Sequence, residues 1–130
     1  MKLLTKAIEA KLAKAPLYSQ EKDSRPVIIV KFFNPTGAGS WYVIEGQKLD
    51  DGDWEFFGLA DILEPELGYF RLSELQCFRG RFGLGIERDL HFENKFLDIS
   101  QSPPEVSDIV LGAQADELAV RSDLSEGIST

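Results

Sequence analysis

Cysteine, histidine and methionine are nearly missing from this chain: Cys77, His91 and Met1 occur once each. A lone cysteine excludes an intrachain disulfide and predicts a reducing, cytoplasmic setting. One Cys and one His leave a single pairing for thiol catalysis, and no Gly-x-Ser-x-Gly elbow is present for a serine nucleophile. Cys77 lies in "LQCF", close to Leu75 and Phe78, where a buried, inert thiol is expected. Positive charge is also scarce, with 14 Lys and Arg against 22 Asp and Glu. Proteins that grip nucleic acid through phosphates carry the opposite surplus, so any such contact here would be local. Long apolar runs are missing too. "VIIV" at 27–30 falls far short of the roughly 20 residues needed to span a bilayer. Lys6, Glu9 and Lys11 interrupt the N-terminal segment, which excludes the apolar core of a secretory signal. No membrane partner is expected.

What is present is a core. Apolar residues make up 43% of the chain and aromatics 11%, enough to exclude global disorder. The acid is unevenly spread. Residues 1–100 carry 13 basic and 16 acidic side chains, a net charge of −3; residues 101–130 carry one and six, a net charge of −5. A further belt of eight acids runs from Glu45 to Glu66 against Lys48 alone. Its clustering around "DDGDWE" reads as a solvated hairpin tip that blocks edge-to-edge pairing.

Thr5 can cap a helix whose buried stripe is Leu4, Ile8 and Leu12, with Pro16 just past its end. "RPVIIVKFFNP" (25–35) reads as one strand, "WYVIEGQKL" (41–49) as a second and "WEFFGLADIL" (54–63) as a third. Asp51-Gly52 supplies the hairpin between the last two. "LGYFRL" (67–72) reads as a fourth strand, Ser73 opens a short helix near 73–79, and "ERDLHFE" (87–93) is a fifth strand. Short turns between consecutive strands demand antiparallel pairing. The expected fold is therefore α+β: one domain over residues 1–100, mainly an antiparallel meander of four to five strands covered by the two helices. Residues 101–130 form an acidic, mobile tail, with a short helix near 103–111 that Ser102 and Glu105 would cap.

Three constellations compete as sites. "GRFGLG" (80–85) with Arg79 and Arg81 hints at a phosphate loop. It matches neither G-x-G-x-x-G nor a P-loop, and it runs into a strand rather than a helix, so no cofactor is expected. On a strand, Glu87, Asp89, His91 and Glu93 would share one face, with Arg88, Leu90 and Phe92 on the other. Those carboxylates and the imidazole make an oxygen-rich set suited to Mn, Fe or Mg. Roots two residues apart stand about 6.6 Å from each other, so another ligand such as Glu45 or Glu66 would have to join. Finally, Trp41, Tyr42, Trp54, Phe56, Phe57, Tyr69 and Phe70 fall on adjacent strands, where core packing on both faces is the simpler reading and an exposed alternating set would stack bases or anchor a protein partner.

The blocks "LLTKAIEAKL", "PLY", "VKFFNP", "WYVIEG", "FFGL", "ELGYFRLSEL" and "GIERDLHF" together resemble a family of small bacterial proteins classed as a domain of unknown function. Its members are often encoded on plasmids and integrating conjugative elements. The resemblance covers roughly residues 3–97 and implies a cytoplasmic protein tied to mobile DNA, without implying an activity. The functional expectation is a non-catalytic accessory module that binds through Trp41, Glu66, Tyr69, Glu87, Arg88, Asp89 and His91, with a protein partner favoured. A metal-dependent enzyme built on Glu87, Asp89 and His91 is the alternative. A further alternative is single-strand nucleic-acid binding through sheet aromatics and Arg79, Arg81 and Arg88.

Overall fold

The computed structural model describes residues 2–20, 22–93, 95–99 and 104–111. In chain order the elements are helix α1 (Lys6–Ala13), strands β1 (Val27–Ile28), β2 (Val30–Phe33), β3 (Ser40–Lys48), β4 (Trp54–Asp61) and β5 (Pro65–Arg71), helix α2 (Leu72–Cys77), then β6 (Glu87–Arg88), β7 (Lys95–Leu97) and β8 (Ile109–Leu111). Two antiparallel sheets result, one of five strands in the order β5-β4-β3-β2-β6 and one of three in the order β1-β7-β8. The fold is α+β, and β2 to β5 form the expected meander.

Local chemistry explains the larger elements. Thr5 Oγ1 accepts the Ile8 amide at 3.2 Å and opens α1. Leu12 is fully buried and Leu4 nearly so, which docks the helix on the sheet. At the β3–β4 hairpin, Gly52 takes φ +88°, a left-handed conformation that glycine adopts without a Cβ penalty. Val30, Phe32, Trp41, Val43, Phe56 and Phe70 form the first core with Leu12 and Leu75 from the helices and Leu4 from the segment before α1. On the opposite face Tyr42, Ile44 and Leu59 pack against Ile28 and Leu97 of the smaller sheet. The five-stranded sheet is thus covered on both sides, which is why Trp41 to Gly46 are buried without interruption.

Three expectations need correction. The run 25–35 is two strands: Ile28 belongs to the second core and Val30 to the first. Residues two apart on a regular strand share a face. The break at Ile29 therefore lets one apolar run serve both cores, with β1 pairing β7 and β2 pairing β3. The helix expected near 103–111 does not form over its described residues, 104–111. Glu105 and Asp108 close a 3₁₀ turn over Val106–Asp108, and β8 then pairs β7, so sheet pairing runs past residue 100. The proposed cap Ser102 lies outside the described residues, as does 112–130. Cys77 is exposed, not buried. Helix α2 buries Leu72 and Leu75, and a residue two positions beyond Leu75 points away from that stripe.

Candidate functional site

The predicted site residues do not converge. Tyr69 is on β5 and Arg88 on β6, the opposite edges of the five-stranded sheet. Arg88 Nη1 donates to the carbonyls of Lys2 at 2.6 Å and Leu3 at 3.0 Å, fastening the N-terminal segment to the sheet. Trp41 is buried in the first core, edge-on to Phe78 at 6.3 Å. Glu66 shares β5 with Tyr69, but strand alternation turns it to the other face.

The shared face assigned to Glu87, Asp89, His91 and Glu93 does not form, because strand β6 ends at Arg88. Asp89 Oδ1 accepts the His91 amide at 2.9 Å, an Asx turn that takes the chain out of the extended conformation. The other Asp89 oxygen lies 3.7 Å from Lys31 Nζ. Among the described residues, no group of three or more His, Cys, Asp or Glu side chains is placed to hold a metal ion.

The glycine-rich loop turns a corner. Phe82 and Gly83 take φ +61° and +72°, and the Gly80 amide reaches the Leu84 carbonyl at 2.7 Å. Arg79 Nη1 donates to the Gln76 and Phe78 carbonyls at 2.7 and 2.6 Å, capping the end of α2. Arg79 and Arg88 are both committed to backbone oxygens. The loop also borders a wide, open trough of about 590 Å³ between the N-terminal segment, Trp54 and α2.

A second cavity, of about 210 Å³, is more closely built. A β-bulge between Val43 and Glu45 sets Glu45 opposite Phe57, and Phe57 stands opposite Tyr69, so three strands contribute to one row. Glu45 is 3% exposed and is the buried charged residue among the described residues. The segment after α1 crosses over it. Glu45 Oε1 accepts the Tyr18 amide at 2.8 Å and Oε2 accepts the Gln20 amide at 2.7 Å. Tyr18 is held at φ +73°. Gln20 extends the clasp, donating Nε2 to the Ile44 carbonyl at 2.9 Å and accepting the Val27 amide on Oε1 at 3.1 Å.

The cavity walls are Tyr18, Pro26, Phe57, Leu67, Tyr69 and Ile99. The Tyr69 ring stands 5.1 Å from Phe57 and 6.4 Å from Tyr18, centroid to centroid. Tyr18 and Tyr69 are 64% and 51% exposed, so the aromatic row begins in solvent and ends at a buried carboxylate.

The burial of Glu45 is met by amide donors. Burying a carboxylate costs several kcal/mol even after relaxation, while hydrogen bonds to charged groups each return about 1.5–3 kcal/mol. Among the described residues no Lys, Arg or His forms an ion pair with it. Nor does any second Asp, Glu, His, Cys, Lys or Arg among them line the cavity, which combines apolar walls, two tyrosines and one carboxylate.

Sequence reasoning singles out Tyr69, treats Glu45 as part of the solvated acidic belt or as an added metal ligand, and passes over Tyr18 and Gln20. The signal was a single carboxylate inside the apolar run "WYVIEG", a position where a buried strand tolerates charge only with partners.

No curated protein and no solved structure matches the chain. Residues 3–101 match the model of the family described as "Protein of unknown function (DUF2958)", and the chain belongs to that family.

Proposed function

We propose that the chain is a non-catalytic binding module that receives a protein partner in the Tyr18–Tyr69 cleft. We further propose that it works in the bacterial cytoplasm as an accessory factor of plasmids or conjugative elements, a setting motivated by sequence blocks such as "VKFFNP", "ELGYFRLSEL" and "GIERDLHF" and by the lone Cys77. The observation that supports binding is a pair of exposed tyrosines at the mouth of an apolar cavity, Tyr69 in ring contact with Phe57 and Tyr18 in ring contact with Tyr69. Tyrosine anchors of this kind dominate protein interfaces because they bury large area at low entropic cost. A protein partner is favoured over nucleic acid because the one charge among the described residues of the cleft is negative and would repel phosphate.

Selection of a displayed random-peptide library on wild-type protein and on Tyr69→Ala tests this. Peptides enriched on wild type should bind the folded variant at least tenfold more weakly. Peptides that bind both equally, or no enrichment at all, would remove the cleft as the partner site.

A further inference from the structure

We infer that the occupant of the cleft is a cationic side chain, the ammonium or guanidinium of a partner's Lys or Arg, lodged among the Tyr18, Phe57 and Tyr69 rings with Glu45 as its counter-charge. This rests on the cleft being the partner site.

Four observations converge. The carboxylate is buried and no cation among the described residues pairs with it. Each of its oxygens accepts one backbone amide, whereas a carboxylate offers about four lone-pair sites, so acceptor capacity remains on a residue that lines the cavity. Three aromatic rings stand within 6.4 Å of a neighbour in one row, and ring faces attract a cation lying within about 6 Å of a centroid. The volume of about 210 Å³ is below the roughly 300–1,000 Å³ typical of drug-sized ligands, which points to one long side chain rather than a whole metabolite.

The alternatives fit less well. An apolar side chain would fill the walls but seal the carboxylate from water without neutralising it. An anion would meet the buried negative charge directly.

The test is an amide-resolved NMR titration of the full chain with the N-acetyl, N-methylamide forms of lysine, arginine and norleucine, plus putrescine. Norleucine matches the lysine chain without its charge. Saturable shifts at the Tyr18 and Gln20 amides are expected with lysine or arginine, with affinity at least tenfold weaker for norleucine. Tyr69→Ala should abolish the shifts. Putrescine binding more tightly than both amino-acid amides would identify a free polyamine as the occupant and overturn the side-chain assignment. Norleucine binding as tightly as lysine would overturn the cationic inference while leaving the peptide-binding cleft intact. Absence of saturable shifts with lysine and arginine would overturn it also, with the library selection deciding the cleft separately. In Glu45→Gln, if folded, lysine should bind no better than norleucine; if it does not fold, the ligand series alone decides.

Discussion

The carboxylate of Asp53 closes the first turn of a helix that starts almost twenty residues later: Oδ2 accepts the Ser73 hydroxyl at 2.6 Å and Oδ1 accepts the Ser73 amide at 3.1 Å. Helix α2 has no cap from its own preceding residue, Arg71, so the β3–β4 hairpin supplies one. The hydrogen bond from the Ser73 hydroxyl is the chief reason the Asp53 carboxyl titrates below the ordinary range. The Trp54 and Ser73 amides and the Arg71 charge add to the effect, and burial opposes it. A depressed folded-state value stabilises the fold above the unfolded pKa of about 3.9, and that stability is lost as pH falls through the folded value. Asp53→Ala should cost about 1 kcal/mol near neutrality, as lost caps do. The gap from wild type should close as denaturation midpoints are followed from pH 6 to pH 3. A gap that persists in acid would mean the carboxylate charge is irrelevant.

Gly58 and Gly68 face each other across β4 and β5 yet should respond oppositely to alanine. A Cβ on Gly58 would lie 1.9 Å from the Tyr42 carbonyl oxygen, which is backbone and cannot step aside. A Cβ on Gly68 meets nothing within 4 Å. Gly58→Ala should lose at least the roughly 1–3 kcal/mol of an overpacked core, while Gly68→Ala stays within about 0.5 kcal/mol of wild type. Urea melts of the two variants make the comparison.

Arg88, read from sequence as a binding residue, holds the Lys2 and Leu3 carbonyls. Leu3 and Leu4 are each 5% exposed, so this clasp secures apolar contacts as well as hydrogen bonds. Arg88→Met keeps the stem but removes the donors, and should cost about 1.5–3 kcal/mol by the usual worth of charged hydrogen bonds. Amide exchange should accelerate first at residues 3–8. Unchanged exchange there would show that the N-terminal segment is held by its leucines alone.

The exposure of Cys77 is checked with one reagent. In native protein it should react with a disulfide exchange reagent at a rate close to that measured in denaturant, since nothing covers it. A reaction slowed a hundredfold or more by folding would place the thiol inside.

The parts legible from sequence were those set by short-range chemistry. Thr5 caps a helix whose stripe recurs every four residues, and Asp51-Gly52 joins two β-branched, aromatic runs; both signals are complete within a few residues. The smaller sheet was not legible, because β1, β7 and β8 have two or three residues each and pair only through contacts distant in sequence. In "ERDLHFE" the alternation is present, but Asp89 offers its own side chain to the His91 amide, and that local bond outweighs the period-two pattern. Glu45 was hidden by counting charge rather than position. The bulge that turns it under Tyr18 adds one residue to β3, and no composition shows that.

Glu45 therefore carries the last prediction, which concerns the fold and stands apart from any ligand. Its two oxygens are the acceptors for the Tyr18 and Gln20 amides, in a segment whose other anchors are the Gln20 side chain and the Gly46 amide donated to the Ala15 carbonyl at 3.1 Å. Glu45→Ala leaves both donors facing a cavity, at about 1–3 kcal/mol for each one that stays unsatisfied. Tyr18 also loses the bond that holds its backbone at φ +73°, a region costly for a non-glycine residue. The expected result is a loss on the order of 2–4 kcal/mol in global stability, with amide exchange at Tyr18 and Gln20 rising well ahead of that in β3 and β4. If those two amides keep their protection in the variant, the clasp is made by Gln20 alone and the carboxylate is a passenger.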